Sequence, residues 1–367
     1  MKINKIVVLA TLASATGLAA AQSTVTFSGR VDGGFAYLNQ VQTSPGVTAS
    51  RFGTQNGDWG VGMINVTGVD NLGGGNKAIF VISDAVKIMT GMGGASFRKS
   101  FVGLSSNDLG TIKLGRDLFI SNGVTMIDPF VQELFGSASL VRGRNWQQTN
   151  SNVTYLSPSY NGFDVALQNS LPGQTANFNA GAPGGFGRTD GIQLTYQSAL
   201  FDVRAIYDEM RDSNGQFSNV FTSSKELVIG GNLRIQKFII QGAVTRMVAP
   251  DTPTGLAKTA NHYWLGFNYG MTPALLLTAG VYRIDVGRGN ANATHDGQGH
   301  ATMFELGGTY NLSKRTFLYA NVGYLKNGAN ATFSLEPNNP GLNNNNLDNP
   351  LPGRTQLGSY VGINQSF

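Results

Sequence analysis

The chain contains no cysteine. Disulfides therefore play no part in its fold, and thiolate catalysis and cysteine metal sites are excluded. Only three histidines are present, His262, His295 and His300. None falls in a strong metal-ligand pattern or beside a recognisable nucleophile motif, so no cofactor or metal is expected and catalysis is not. Gly73-Gly74-Gly75-Asn76-Lys77 lacks the spacing of a phosphate-binding loop. Charged residues make up only 13% of the chain, and no run of Lys or Arg marks a nucleic-acid surface. Beyond residue 21 no stretch approaches the ~20 consecutive apolar residues of a membrane-spanning helix. That last absence leaves the membrane open, because a membrane β-barrel hides its apolar surface by alternation.

Glycine, by contrast, is abundant at 49 residues, and aromatics reach 10%. The N-terminus, MKINKIVVLATLASATGLAAA, carries two lysines, a short apolar run and then small residues. Ala19 and Ala21 fit the small-x-small site of a signal peptidase, so residues 1–21 read as a signal peptide and 22–367 as one exported domain. Loss of Lys2 and Lys5 reduces 26 basic residues to 24 against 21 acidic ones, a balance of +3.

A two-residue period recurs through the exported part. Phe163, Val165 and Leu167 alternate with Asp164, Ala166 and Gln168; Ile192, Leu194 and Tyr196 alternate with Gln193, Thr195 and Gln197. Tyr263, Leu265, Phe267 and Tyr269 oppose His262 and Asn268, and Leu318, Ala320, Val322 and Tyr324 oppose Tyr319 and Asn321. Such sets are strands with one apolar and one polar face. Between them, short turns such as Asn107–Gly110 and Pro158–Gly162 alternate with long segments at 172–188, 212–223, 249–259, 288–299 and 328–354. Turns on one rim and loops on the other describe an up-and-down barrel. About sixteen strands are expected, enough to enclose an aqueous channel. Tyr and Phe near strand ends suggest aromatic girdles at two bilayer interfaces. The fold class is thus all-β, a transmembrane antiparallel barrel.

Four stretches carry a resemblance: STVTFSGRVDGG at 23–34, RKSFVGLSSNDLGTIKLGRD at 98–117, SNVTYLSPSYNGF at 151–163, and the terminal Phe367. With them the chain resembles the general porins of Gram-negative outer membranes, most closely those of β-proteobacteria. The resemblance implies a sixteen-stranded homotrimer among outer-membrane lipid and lipopolysaccharide, passing ions and small hydrophilic solutes. It also implies that Phe367 is a tag read by the barrel insertion machinery.

From Asp117 to Thr149, 33 residues show no alternation. Ordinary connections have a median of ~4–6 residues, and Ile127, Phe130, Val131, Leu134 and Phe135 make this one too apolar for a solvated loop. In the resembled family it is the third loop, folded inward to narrow the pore. A narrow gap selects ions by the charges lining it. Asp128 and Glu133 are the candidates on the loop. On the wall, Arg30 is opposite in parity to Val25, Phe27 and Val31, Arg98 is opposite in parity to Phe101, and the family places a basic residue at both positions. Arg116 shares parity with Ile112 and Leu114 and reaches the lumen only if the strand bulges or has already become loop; Arg142 and Arg144 close the loop. The barrel and the resemblance imply a passive diffusion channel, and the arginines and the +3 balance together predict a mild anion preference. A substrate-specific channel and an adhesin or structural barrel are the competing readings.

Overall fold

The computed structural model describes residues 23–44, 46–94, 97–133, 135–171, 187–287, 299–336 and 349–367. The signal peptide, most of the 172–188 and 288–299 segments, His295 and part of 328–354 lie outside the described residues.

The alternating segments form one antiparallel sheet of eighteen strands, most of them paired with their neighbours in sequence. Val47–Asn56 and Met63–Gly73 both pair with the long first strand, Thr24–Ser44, and are two halves of one interrupted barrel strand. Met92–Gly93 is a two-residue appendage to Asn76–Lys87. A ring of sixteen remains, closed where Thr24–Ser44 meets the last strand, Thr355–Ser366. Closure leaves no long open edge for lipid to face, which is what a spanning sheet requires.

Parity assigns the two faces. Leu194, Leu265, Leu306 and Val361 are at least half exposed on the outside, a surface no soluble protein maintains at this extent. Aromatic rings gather on the same face near the turns. Phe163, Tyr196 and Phe201 lie 4.5 and 5.5 Å apart in succession, and Phe238 lies 4.6 Å from Tyr269 and 5.8 Å from Phe267. This is the expected interfacial girdle at the turn rim.

The inside departs from a simple polar lining. Ile206, Val228, Trp264, Tyr282, Ile284, Met303 and Tyr360 point inward and are buried. They pack against Phe130, Phe135, Leu140 and Val141 of the long segment after residue 118, and Phe221, Phe333 and Leu335 from other loops join them. One side of the lumen is therefore filled by a hydrophobic core. Gly323 and Gly358 make room for Phe135, since a Cβ at either would come within 2.9 Å of its ring. Burial of a ring like Phe135 contributes about 2 kcal/mol.

The C-terminal segment, Thr355–Ser366, closes the barrel. It pairs with the first strand only from Gly29 onward: Gly29 and Phe367 exchange two backbone hydrogen bonds of 3.0 Å. Thr24–Ser28 pair instead with Asn65–Val69 on the other side. Tyr360 shares the inward parity of Gly358 and Asn364, and its ring packs 5.0 Å from Phe135.

Candidate pore constriction

The long segment enters the barrel as a 3-10 helix, Ile120–Ile127, continues through a tight turn and a short helix, Ser137–Leu140, and leaves through Arg144–Trp146. Wall side chains hold its backbone. Trp264 Nε1 donates to the Ile127 carbonyl at 2.8 Å, Asn232 to Met126 at 2.8 Å and Asn268 to Pro129 at 3.2 Å. Each of these satisfies a carbonyl that burial would otherwise orphan.

Asp128 organises the turn and does not line a gap. It is fully buried and accepts from the backbone of Phe130 at 3.0 Å, Gln132 at 3.3 Å and Ser137 at 2.7 Å, and from the Tyr282 hydroxyl at 2.6 Å. These bonds hold Val131 and Gln132 at φ of 48° and 57°, a strained conformation for a β-branched residue.

Arg142 and Arg144 also differ from expectation. Arg142 is buried with its guanidinium 5.1 Å from the Phe333 ring centre and 5.8 Å from that of Phe221. Arg144 is fully buried, paired with Asp208 and 3.9 Å from Glu226, and it donates to Ser224 Oγ at 3.3 Å. Both arginines anchor the loop in the core rather than charging the channel. Arg116 likewise stays outside the gap. The strand bulges between Gly115 and Asp117, yet the guanidinium turns to the Phe97 carbonyl at 2.6 Å and to Asn150 and Gln148.

Arg30 and Arg98 do meet across one space. A cavity of about 800 Å3 lies between the loop and the strands of the first third of the barrel. Its charged lining is Arg30, Arg98, Lys99 and Glu133. Arg30 is oriented by a 2.9 Å bond from Nε to the Val61 carbonyl, in the inward excursion between Asn56 and Met63. Gly60 sits directly against that guanidinium, so a Cβ there would be 2.6 Å from its Nη2. Arg98 arrives for a reason other than parity with a lipid-facing Phe101. Phe101 pairs with inward Val81 and lies 4.8 Å beneath the Lys113 ammonium, so it faces the lumen. Arg98 reaches the cavity because it precedes the strand, Lys99–Ser106, with its amide bonded to the Ser83 carbonyl at 2.8 Å.

Lys99 is a cavity residue that the sequence reading missed, although it follows Arg98 directly. It is 3.9 Å from Asp117, which is also paired with Lys113. Trp59 and Trp146 line the same space and were missed too. Glu133, on the loop rather than on a spanning strand, is 4% exposed. Burial, reinforced by Glu305 and Asp128, pushes its carboxyl well above the ordinary carboxylate range. In the cavity lining, Arg30, Arg98 and Lys99 outnumber one acid, Glu133, although Lys99 also lies beside Asp117, so positive side chains predominate there.

A closed lipid-facing barrel narrowed from within by a loop defines a membrane channel. A family model described as Gram-negative porin matches residues 8–330, and the chain belongs to that family, whose place is the outer membrane. It is 28% identical over 377 residues, 99% of both chains, to outer membrane porin protein 32 of Delftia acidovorans. Among solved structures, the anion-selective porin from Comamonas acidovorans superposes with a TM-score of 0.77 at 24% identity, over 94% of this chain and 100% of that one. OmpT of Vibrio cholerae in its trimer form gives 0.62 at 14% identity, over 94% and 99%.

Proposed function

We propose that the protein is a passive, water-filled diffusion channel for ions and small hydrophilic solutes, with a preference for anions. The observation that carries this is the lining of the gap: Arg30, Arg98 and Lys99 against a single acid that is buried. Neither Arg30 nor Arg98 is in a salt bridge among the described residues, so their charge acts on whatever occupies the cavity. The likeness to an anion-selective porin supports the same sign. Reversal potential across a planar bilayer in a KCl gradient tests it; a preference for potassium overturns the anion reading. Large ohmic single-channel steps are expected, and a silent barrel would favour a structural role instead.

The working unit in this proposal is a homotrimer, supported by family membership and by the trimeric form of OmpT. Native mass measurement of the detergent-solubilised protein tests it. The exported chain begins at Gln22, which N-terminal sequencing of outer-membrane material checks. Phe367 serves as the assembly signal in the same proposal.

A further inference from the structure

All three tryptophans of the chain, Trp59, Trp146 and Trp264, lie on the lumen side. In a membrane barrel this residue ordinarily sits at the lipid–water boundary, where its ring and its N–H find different solvents. Trp264 is accounted for: it is 5% exposed and bonds the Ile127 carbonyl. Trp59 and Trp146 are half-buried and line the gap that holds Arg30, Arg98 and Lys99. Among the described residues, only the Trp264 indole nitrogen has a hydrogen-bond acceptor.

The Trp59 ring is held by aromatic neighbours. Trp59 packs 5.5 Å from Phe317, edge to face, and 5.9 Å from Tyr319. Trp146 ends the turn anchored by Arg144. Two indoles leaving apolar area wet in an ion pathway contribute nothing to the passage of chloride. They acquire a use when the solute has a flat apolar body as well as a negative charge. Guanidinium groups bind carboxylates through paired hydrogen bonds, and aromatic rings prefer offset or edge contacts with other rings.

We propose that the gap is a transient binding site for aromatic carboxylates, with the carboxylate on Arg30, Arg98 and Lys99 and the ring against Trp59 and Trp146. The cavity of about 800 Å3 lies within the ~300–1,000 Å3 typical of small-molecule sites. The proposal rests on the anion reading above and names a solute class for the same gap.

The test is block of chloride current through single channels by benzoate, acetate and cyclohexanecarboxylate. Benzoate is expected to act at about three- to tenfold lower concentration than either other acid, the advantage of one ring–ring contact. Trp146→Phe keeps that advantage; Trp146→Leu and, independently, Trp59→Leu lose it. Equal potency of benzoate and acetate overturns the proposal, and so does benzoate selectivity that survives both leucine substitutions. Cyclohexanecarboxylate matching benzoate also overturns it, because the site would then read apolar bulk. The reversal potential is read on the same channels without organic acid. A potassium preference there sinks the anion reading, whereas a chloride preference without benzoate selectivity sinks only this proposal.

Discussion

Replacing Arg30 and Arg98 together with glutamine removes two of the three positive side chains lining the gap. A cavity of about 800 Å3 has the volume of a sphere of about 6 Å radius, which sets the distance from a central ion to a lining charge. In water each charge then contributes about 0.7 kcal/mol. Screening at 0.1 M salt lowers this to about 0.4 kcal/mol. Chloride and potassium feel it with opposite sign, so two charges move the chloride-to-potassium preference by about 1.6 kcal/mol, on the order of tenfold. At 1 M salt, where the Debye length is ~3 Å, the change shrinks to about twofold. Reversal potentials of wild-type and doubly substituted channels at low and high KCl read both values. An unchanged potential at low salt, or a shift that does not fade with salt, refutes this account of the gap.

Gly60→Ala places a methyl against the Arg30 guanidinium; a reduced anion preference in a barrel of normal thermal stability is expected, read by the same potentials. Arg144→Met leaves the buried carboxylates of Asp208 and Glu226 without their cation and destabilises the loop anchor by about 3–5 kcal/mol. Faster proteolysis within 119–147 and noisier open-channel current report it. Deleting Phe367 removes two hydrogen bonds to Gly29 and the ring contact with Phe27 at 5.7 Å. The amount of folded protein in the outer membrane should fall far more than the conductance of channels that do insert, measured by heat-shift electrophoresis and bilayer recording.

The barrel was readable because lipid on one side imposes a strict two-residue period, as at Ile192, Leu194, Leu265 and Val361. The lumen obeys no such rule. Where the inward loop covers the wall, Trp264, Tyr282 and Met303 are buried and apolar; where water remains, the wall carries Arg30, Asn65 and Thr67. Parity cannot distinguish these two insides. It also fails at strand ends, which is why Arg98 and Lys99 both reach the cavity although they are consecutive. The fates of Asp128, Arg142 and Arg144 depended on partners such as Tyr282, Phe333 and Asp208, remote in sequence and without any local signature.

The bond between Gly29 and Phe367 also sets a timetable. The first strand cannot complete its ladder until the final residue of the chain has been made. Joining contacts so far apart in sequence carries a large loop-closure entropy and slow kinetics. Every earlier hairpin leaves two open edges bearing apolar side chains such as Phe27 and Leu194, a template for aggregation in water. Until Phe367 reaches Gly29 the seam stays open, and every strand already paired waits on that last contact.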